Sequence, residues 1–171
     1  MLYGTNKQYN SNMILAIDPG FEKVGYAFFE NKDREPTFIT SGLIKTKKTT
    51  EHEKRLLQIY NSLETLIKLH KPKAVAMEQL FFFKNQKTVI PVAQSQGVIL
   101  LLSAQHNLPV SYITPLQIKQ TITGYGNADK KNVLKMIQLI LKQNLVIEDD
   151  DQSDAIACGL AYCYLNRNLI G

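Results

Sequence analysis

The chain is short of the residues that staple small or secreted proteins together. It has two cysteines, Cys158 and Cys163, both inside one apolar stretch. Two cysteines make neither a disulfide framework nor, unaided, a zinc site, so reduced core residues are expected. The three histidines, His52, His70 and His106, fall at no ligand spacing, and the three arginines, Arg34, Arg55 and Arg167, are as scattered. The longest uninterrupted apolar runs, such as Val98 to Leu102, fall far short of the ~18 residues of a membrane span. The opening MLYGTNKQYNSN is polar and lacks the apolar block of a secretory signal, so a cytoplasmic setting is expected. There is no internal repeat, low-complexity tract or linker. What remains is a globular composition: 171 residues, 44% hydrophobic and 20% charged. That length suits one domain, able to bury roughly 70% of its unfolded surface without a metal or disulfide. Residues 1–12 are expected to be a disordered extension, and 13–171 the domain.

Charge is distributed unevenly. Lys and Arg number 20 against 15 acids, a net +5 with a pI near 9.1. Five of the acids, Glu148, Asp149, Asp150, Asp151 and Asp154, crowd one short segment. A basic body suits a polyanion partner. A concentrated acidic spot suits a divalent cation.

Periodicity supplies the elements. Met13 to Asp18 is an apolar run ending in the turn signal Asp-Pro-Gly. Val24 to Glu30 and Thr37 to Lys45 continue an antiparallel meander. Thr50 and Glu53 have capping-box spacing, and Leu56, Leu57, Tyr60, Leu63, Leu66 and Ile67 form one helical face that Pro72 ends. Ala74 to Met77 is apolar without alternation, as in a strand covered on both faces, and Glu78 follows directly. Thr88 is expected to cap a second helix with Pro91 in its first turn. From Val92 to Gln105 that helix is apolar around much of its circumference, which suggests a partner subunit. Val110 to Ile113 is a strand. Thr114-Pro115 opens a short helix ending at Gly124, Lys130 to Leu141 is helical, and Asp151 to Leu165 forms the last helix. An antiparallel meander followed by alternating helices and strands predicts an α/β fold with a mixed sheet.

Several acids sit in costly places. Asp18 and Glu78 each end an apolar strand, where an unpaired carboxylate is strongly disfavoured. Asp151 and Asp154 are three apart at a helix start and share a face. Each alone has an ordinary reading: a turn residue, a strand-end ion pair, acids favoured by the helix dipole. Together, if the strands are neighbours, they converge and repel by several kcal/mol unless a cation lies among them. Hard oxygen ligands select Mg²⁺ or Mn²⁺.

The segments IDPGFEKVGYA, AVAMEQLFF, TPLQIKQTITGYGNADKKNV and DQSDAIACGLAYC occur in the order found in RuvC-type Holliday junction resolvases, and from about Met13 to Tyr164 the chain resembles that family. The resemblance implies a ribonuclease H-like domain over 13–171, with a five-stranded mixed sheet flanked by helices. It implies a homodimeric endonuclease that cuts four-way junction DNA with Mg²⁺, Mn²⁺ substituting, and two ions per site. Asp18, Glu78, Asp151 and Asp154 match its catalytic, metal-holding carboxylates, with Asp150 an alternative to Asp151. Phe81 matches the aromatic that wedges into the junction, beside Lys84 and Lys87. Lys119 and Lys130 match family lysines near the active site, with phosphate contact as their expected role, and Lys130 and Lys131 also open a helix preceded by glycines, where free backbone N–H groups can bind a phosphate. Branch-migration motor proteins are candidate partners, and the dimer contact is expected around Val92–Gln105. The competing readings are a related nuclease acting on structured RNA and a catalytically silent junction-binding module.

Overall fold

The computed structural model describes residues 12–32, 35–79, 86–142 and 145–166. Most of the expected 1–12 extension lies outside the described residues. Ten elements follow in chain order: β1 (Met13–Asp18), β2 (Lys23–Lys32), β3 (Glu35–Lys45), α1 (His52–His70), β4 (Ala74–Glu78), α2 (Gln86–Gln105), β5 (Val110–Ile113), α3 (Pro115–Thr123), α4 (Lys130–Leu141) and α5 (Asp150–Leu165). The strands form one sheet in the order β3-β2-β1-β4-β5. β1 pairs antiparallel with β2 and parallel with β4, so the sheet is mixed as expected.

Side chains alternate across a sheet, and here the two faces differ in size. On one, Ile14, Ala16, Ala27, Phe29, Ala74 and Ala76 meet α3, α4 and α5. The alanines let α5 lie close. A Cβ on Gly159 would stand 2.5 Å from the Phe29 ring and 2.9 Å from the Ala16 Cβ. On the other, Leu15, Ile17, Phe28, Val75 and Met77 meet α1 and α2 with bulkier packing. No helix among the described residues is long and apolar enough to cross a membrane.

Three local expectations need correcting. Thr50 does not cap α1, which starts at His52 with Glu51 before it and no side-chain cap bond. Thr50 is instead held in the preceding turn, its N–H donating to the Lys47 carbonyl at 3.1 Å. On α1, Leu56, Tyr60, Leu63, Leu66 and Ile67 pack on the core as expected, but Leu57 is exposed and Arg55 and Ile59 complete the buried stripe. Arg55 folds inward, its Nε donating to Thr46 Oγ1 at 2.9 Å and its guanidinium lying 3.8 Å from the Phe21 ring centre. Finally, α2 begins at Gln86, so Thr88 lies within it rather than capping it and Pro91 falls beyond the first turn.

Candidate active site

Side-chain parity gathers the acids. On β1, Ile14 and Ala16 face α5, so Asp18, two residues on, takes the same face. On β4, Ala74 and Ala76 face α5, so Glu78 does as well. The parallel register Ile17↔Met77 sets the two strand ends level. On the other side Asp18 is opposite Gly25 of β2. A Cβ at Gly25 would stand 1.9 Å from the Asp151 carbonyl oxygen, so this glycine is what lets the first turn of α5 rest on the sheet. Asp18 therefore lies between Glu78 on β4 and Asp151 above β2.

The electrostatics follow from this convergence. Burial pushes the Asp18 carboxyl well above the usual carboxylate range, and Glu78, Asp154 and Asp151 raise it further by repulsion. Glu78 is pushed up to about 7, by burial first and Asp154 second, against the pull of Lys130 and Lys119. Asp154 and Asp151 are both raised, burial leading in each. Lys130 is the local counter-charge. Its Nζ lies 3.1 Å from Asp154 Oδ2 and 3.2 Å from Asp150 Oδ2. A cavity of about 220 Å³ is lined by Glu78, Lys119, Lys130 and Asp154. Asp151 lines a different one, of about 610 Å³, with Lys23, His52 and Arg55.

The five-acid cluster is divided. Glu148 reaches Lys45 at 3.6 Å, and Asp149 pairs with Lys23 while its other oxygen accepts from Asp151 N. Asp149 and the buried Gln152, whose Nε2 donates to Ser41 Oγ at 2.9 Å, tie the start of α5 to the sheet, whereas the Glu148 pair is exposed. Asp150 is largely exposed and Asp154 is not. Lys23, Gly25, Gln152 and Arg55 were not singled out by sequence reasoning. Only Gln152, an uncharged residue among aspartates one turn before Ala155, left a readable signal. Phe81 and Lys84 lie outside the described residues, and of Lys87 only its place in the first turn of α2 is described. Lys131, beside Lys130 on α4, is exposed.

The donor chemistry suits a hard divalent cation: carboxylates only, each made more basic chiefly by its burial. Among the described residues, no group of three or more acid, histidine or cysteine side chains is already closed into a metal-holding set. The ammonium of Lys130, between Asp150 and Asp154, supplies positive charge there.

A family model described as "Crossover junction endodeoxyribonuclease RuvC" matches residues 14–163. A protein of that name from Brachyspira hyodysenteriae is 44% identical over 153 residues, covering 90% of this chain and 94% of the relative. Another, from Thermosipho melanesiensis, is 43% identical over 150 residues, covering 88% and 94%. Among solved structures, Thermus thermophilus RuvC in complex with Holliday junction substrate superposes with a TM-score of 0.84 at 24% identity, covering 91% of this chain and 94% of that one.

Proposed function

Because the chain belongs to the RuvC family of crossover junction endodeoxyribonucleases, we propose that Asp18, Glu78, Asp151 and Asp154 are the carboxylates with which it cleaves DNA. It is a Holliday junction resolvase, an endonuclease selective for four-way junctions. The observation that carries the site is the shared parity of Asp18 and Glu78 on the face beneath α5. It explains why three stretches far apart in sequence present like charges to one another.

Divalent cations, Mg²⁺ with Mn²⁺ as substitute and two to a site, would be held by Asp18, Glu78 and Asp154 with Asp151 completing the set, and when bound they activate water and stabilise the leaving oxygen. The chain's own groups bind and orient. Lys119 and Lys130 line the cavity with Glu78 and Asp154. When a strand enters, Lys130 exchanges its carboxylate contacts for a phosphate oxygen and Lys119 supports it. Lys131 and Lys87 add backbone contacts that carry no base information. Phe81 is the residue that separates bases at the crossover.

Cutting two opposed strands takes two sites, and we assign the dimer contact to α2. Its inner side buries Ser95, Ile99, Leu102 and Ser103, while Ile90 and Leu101 are 65% and 58% exposed. The work falls in the compartment that holds the DNA, taken here as the cytoplasm.

The test is cleavage of a mobile four-way junction with products mapped to the nucleotide, beside duplex and structured RNA. Paired symmetric nicks are expected for the junction, and Asp18→Asn is expected to bind it without cutting. Preferential cutting of RNA would replace the substrate. Wild-type rates from Asp18→Asn would remove the metal-site reading, and binding without cutting by the native chain would leave a silent module.

A further inference from the structure

The loop between α3 and α4 holds a feature the cleavage chemistry does not use. Tyr125 is 78% exposed, yet its backbone is fixed. Its N–H donates to Thr123 Oγ1 at 3.0 Å, and its carbonyl accepts from Ala128 N at 3.2 Å. Gly124, with φ at 78°, takes the left-handed turn that starts the loop. A Cβ on Gly126 would stand 2.4 Å from Leu116 Cδ1, so the loop sits tightly against α3. An exposed aromatic on a pinned backbone loses little freedom when something stacks on it.

Beside it is a cavity of about 590 Å³, lined by Tyr125, Asn127, Asn132, Lys135, Met136 and Leu139 among others. Its lining neighbours that of the catalytic cavity on α3 and at the start of α4. Thr123 lines this one and Lys119 the other, one turn apart on α3 and bridged by Thr123 Oγ1 to the Lys119 carbonyl at 2.8 Å. Asp129 and Lys130, consecutive in sequence, likewise line one cavity each. A strand whose phosphate lies at Lys119 and Lys130 thus has its neighbouring nucleotide at this mouth.

The chemistry there is specific. Met136 and Leu139 give an apolar floor and Tyr125 an aromatic face. Asn127 and Asn132 carry amides, which can both donate to and accept from a base edge. From residue 110 to 147 the only acid is Asp129, against Lys119, Lys130, Lys131, Lys135 and Lys142. Its carboxylate caps α4, one oxygen accepting from Asn132 N at 2.7 Å. A basic surface with an aromatic plate and amide groups fits a nucleotide better than an apolar peptide.

The geometry points to a nucleobase subsite: Tyr125 stacks on an unpaired base next to the scissile phosphate, and Asn127, Asn132 and Lys135 read its edge and backbone. This rests on the resolvase reading and adds to it a source of cleavage-site preference.

The experiment places 2-aminopurine in turn at each nucleotide within three of the mapped cut, in junctions bound by the Asp18→Asn chain. Stacking on Tyr125 is expected to change the fluorescence at one position. The change is retained with Tyr125→Phe added and lost with Tyr125→Leu. In the cleaving enzyme, Tyr125→Leu lowers kcat/KM about tenfold, within the range of base–aromatic stacking, and flattens the base preference at that position. Tyr125→Phe stays near wild type, and thermal midpoints do not move. Wild-type efficiency and preference in Tyr125→Leu overturn the subsite. So does a change of oligomeric state without a fluorescence change, which makes the patch a protein contact. A native chain that leaves four-way junctions uncut overturns the resolvase reading, and this one with it.

Discussion

Glu78 is costly to the protein that carries it, and that cost can be measured. Its carboxyl is pushed from an ordinary 4.5 to about 7, by burial and then by Asp154. A displacement of that size places a penalty of about 3 kcal/mol on the charged form in the folded state. Below about pH 4.5 the group is protonated in folded and unfolded chains alike, and the penalty is absent. Between 4.5 and 7 the unfolded chain has released a proton that the folded chain keeps, so stability falls as pH rises. Above 7 the full penalty applies. Glu78→Gln removes the charge at nearly constant size. In EDTA at about pH 8 the variant is therefore expected to be more stable than the parent by up to about 3 kcal/mol, or roughly 6–12 °C in midpoint for a chain of this length. Towards pH 4.5 the two converge. Adding Mg²⁺ at the higher pH stabilises the parent and leaves the variant nearly unmoved. Urea unfolding at the two pH values, with and without the ion, checks all of this. A difference that is absent at high pH, or the same at both, refutes the claim that Glu78 is charged against its surroundings.

Two further outcomes follow from packing. Gly25→Ala puts a methyl group against the Asp151 carbonyl, a backbone atom that gives way only if the start of α5 moves. Expected are a stability loss of about 1–3 kcal/mol and a fall in kcat of about 10²-fold with KM little changed, read by urea unfolding and junction cleavage; unchanged kcat would show that α5 need not sit so close. Leu101→Glu, on the exposed side of α2, is expected to give a folded monomer by sedimentation that no longer nicks both strands in concert. A persistent dimer places the contact elsewhere.

The legible parts of the fold are those whose signals are local. The bounds of β1, β5, α3 and α4 match the sequence reading. For α3 the reason is explicit: Thr114 and Gln117 cap each other's backbone and Pro115 needs no donor there. The misread positions are those where a distant group overrides a local preference. Thr50 and Glu53 had capping-box spacing, but the chain was still turning at Thr50. Arg55 was absent from the expected face of α1 yet is buried, because Phe21 and Thr46, in the segments that follow β1 and β3, supply the ring and oxygen it packs on. For the acids, Asp18 and Glu78 were readable because alternation assigns their face once the strands are neighbours. The division of the 148–154 acids was not readable, since it depends on where Lys23, Lys45 and Lys130 come to lie.

The order β3-β2-β1-β4-β5 has a consequence for how the protein is made. Asp18 is synthesised early, on the strand that becomes the middle of the sheet, while Asp154 arrives with the final helix. On the proposed site, a nascent polypeptide gathers Asp18, Glu78 and Asp154 only once α5 has docked on the sheet, however far the sheet itself has grown. The same wiring makes release of that helix, by a protease or by partial melting, a way of disarming the nuclease rather than loosening its control.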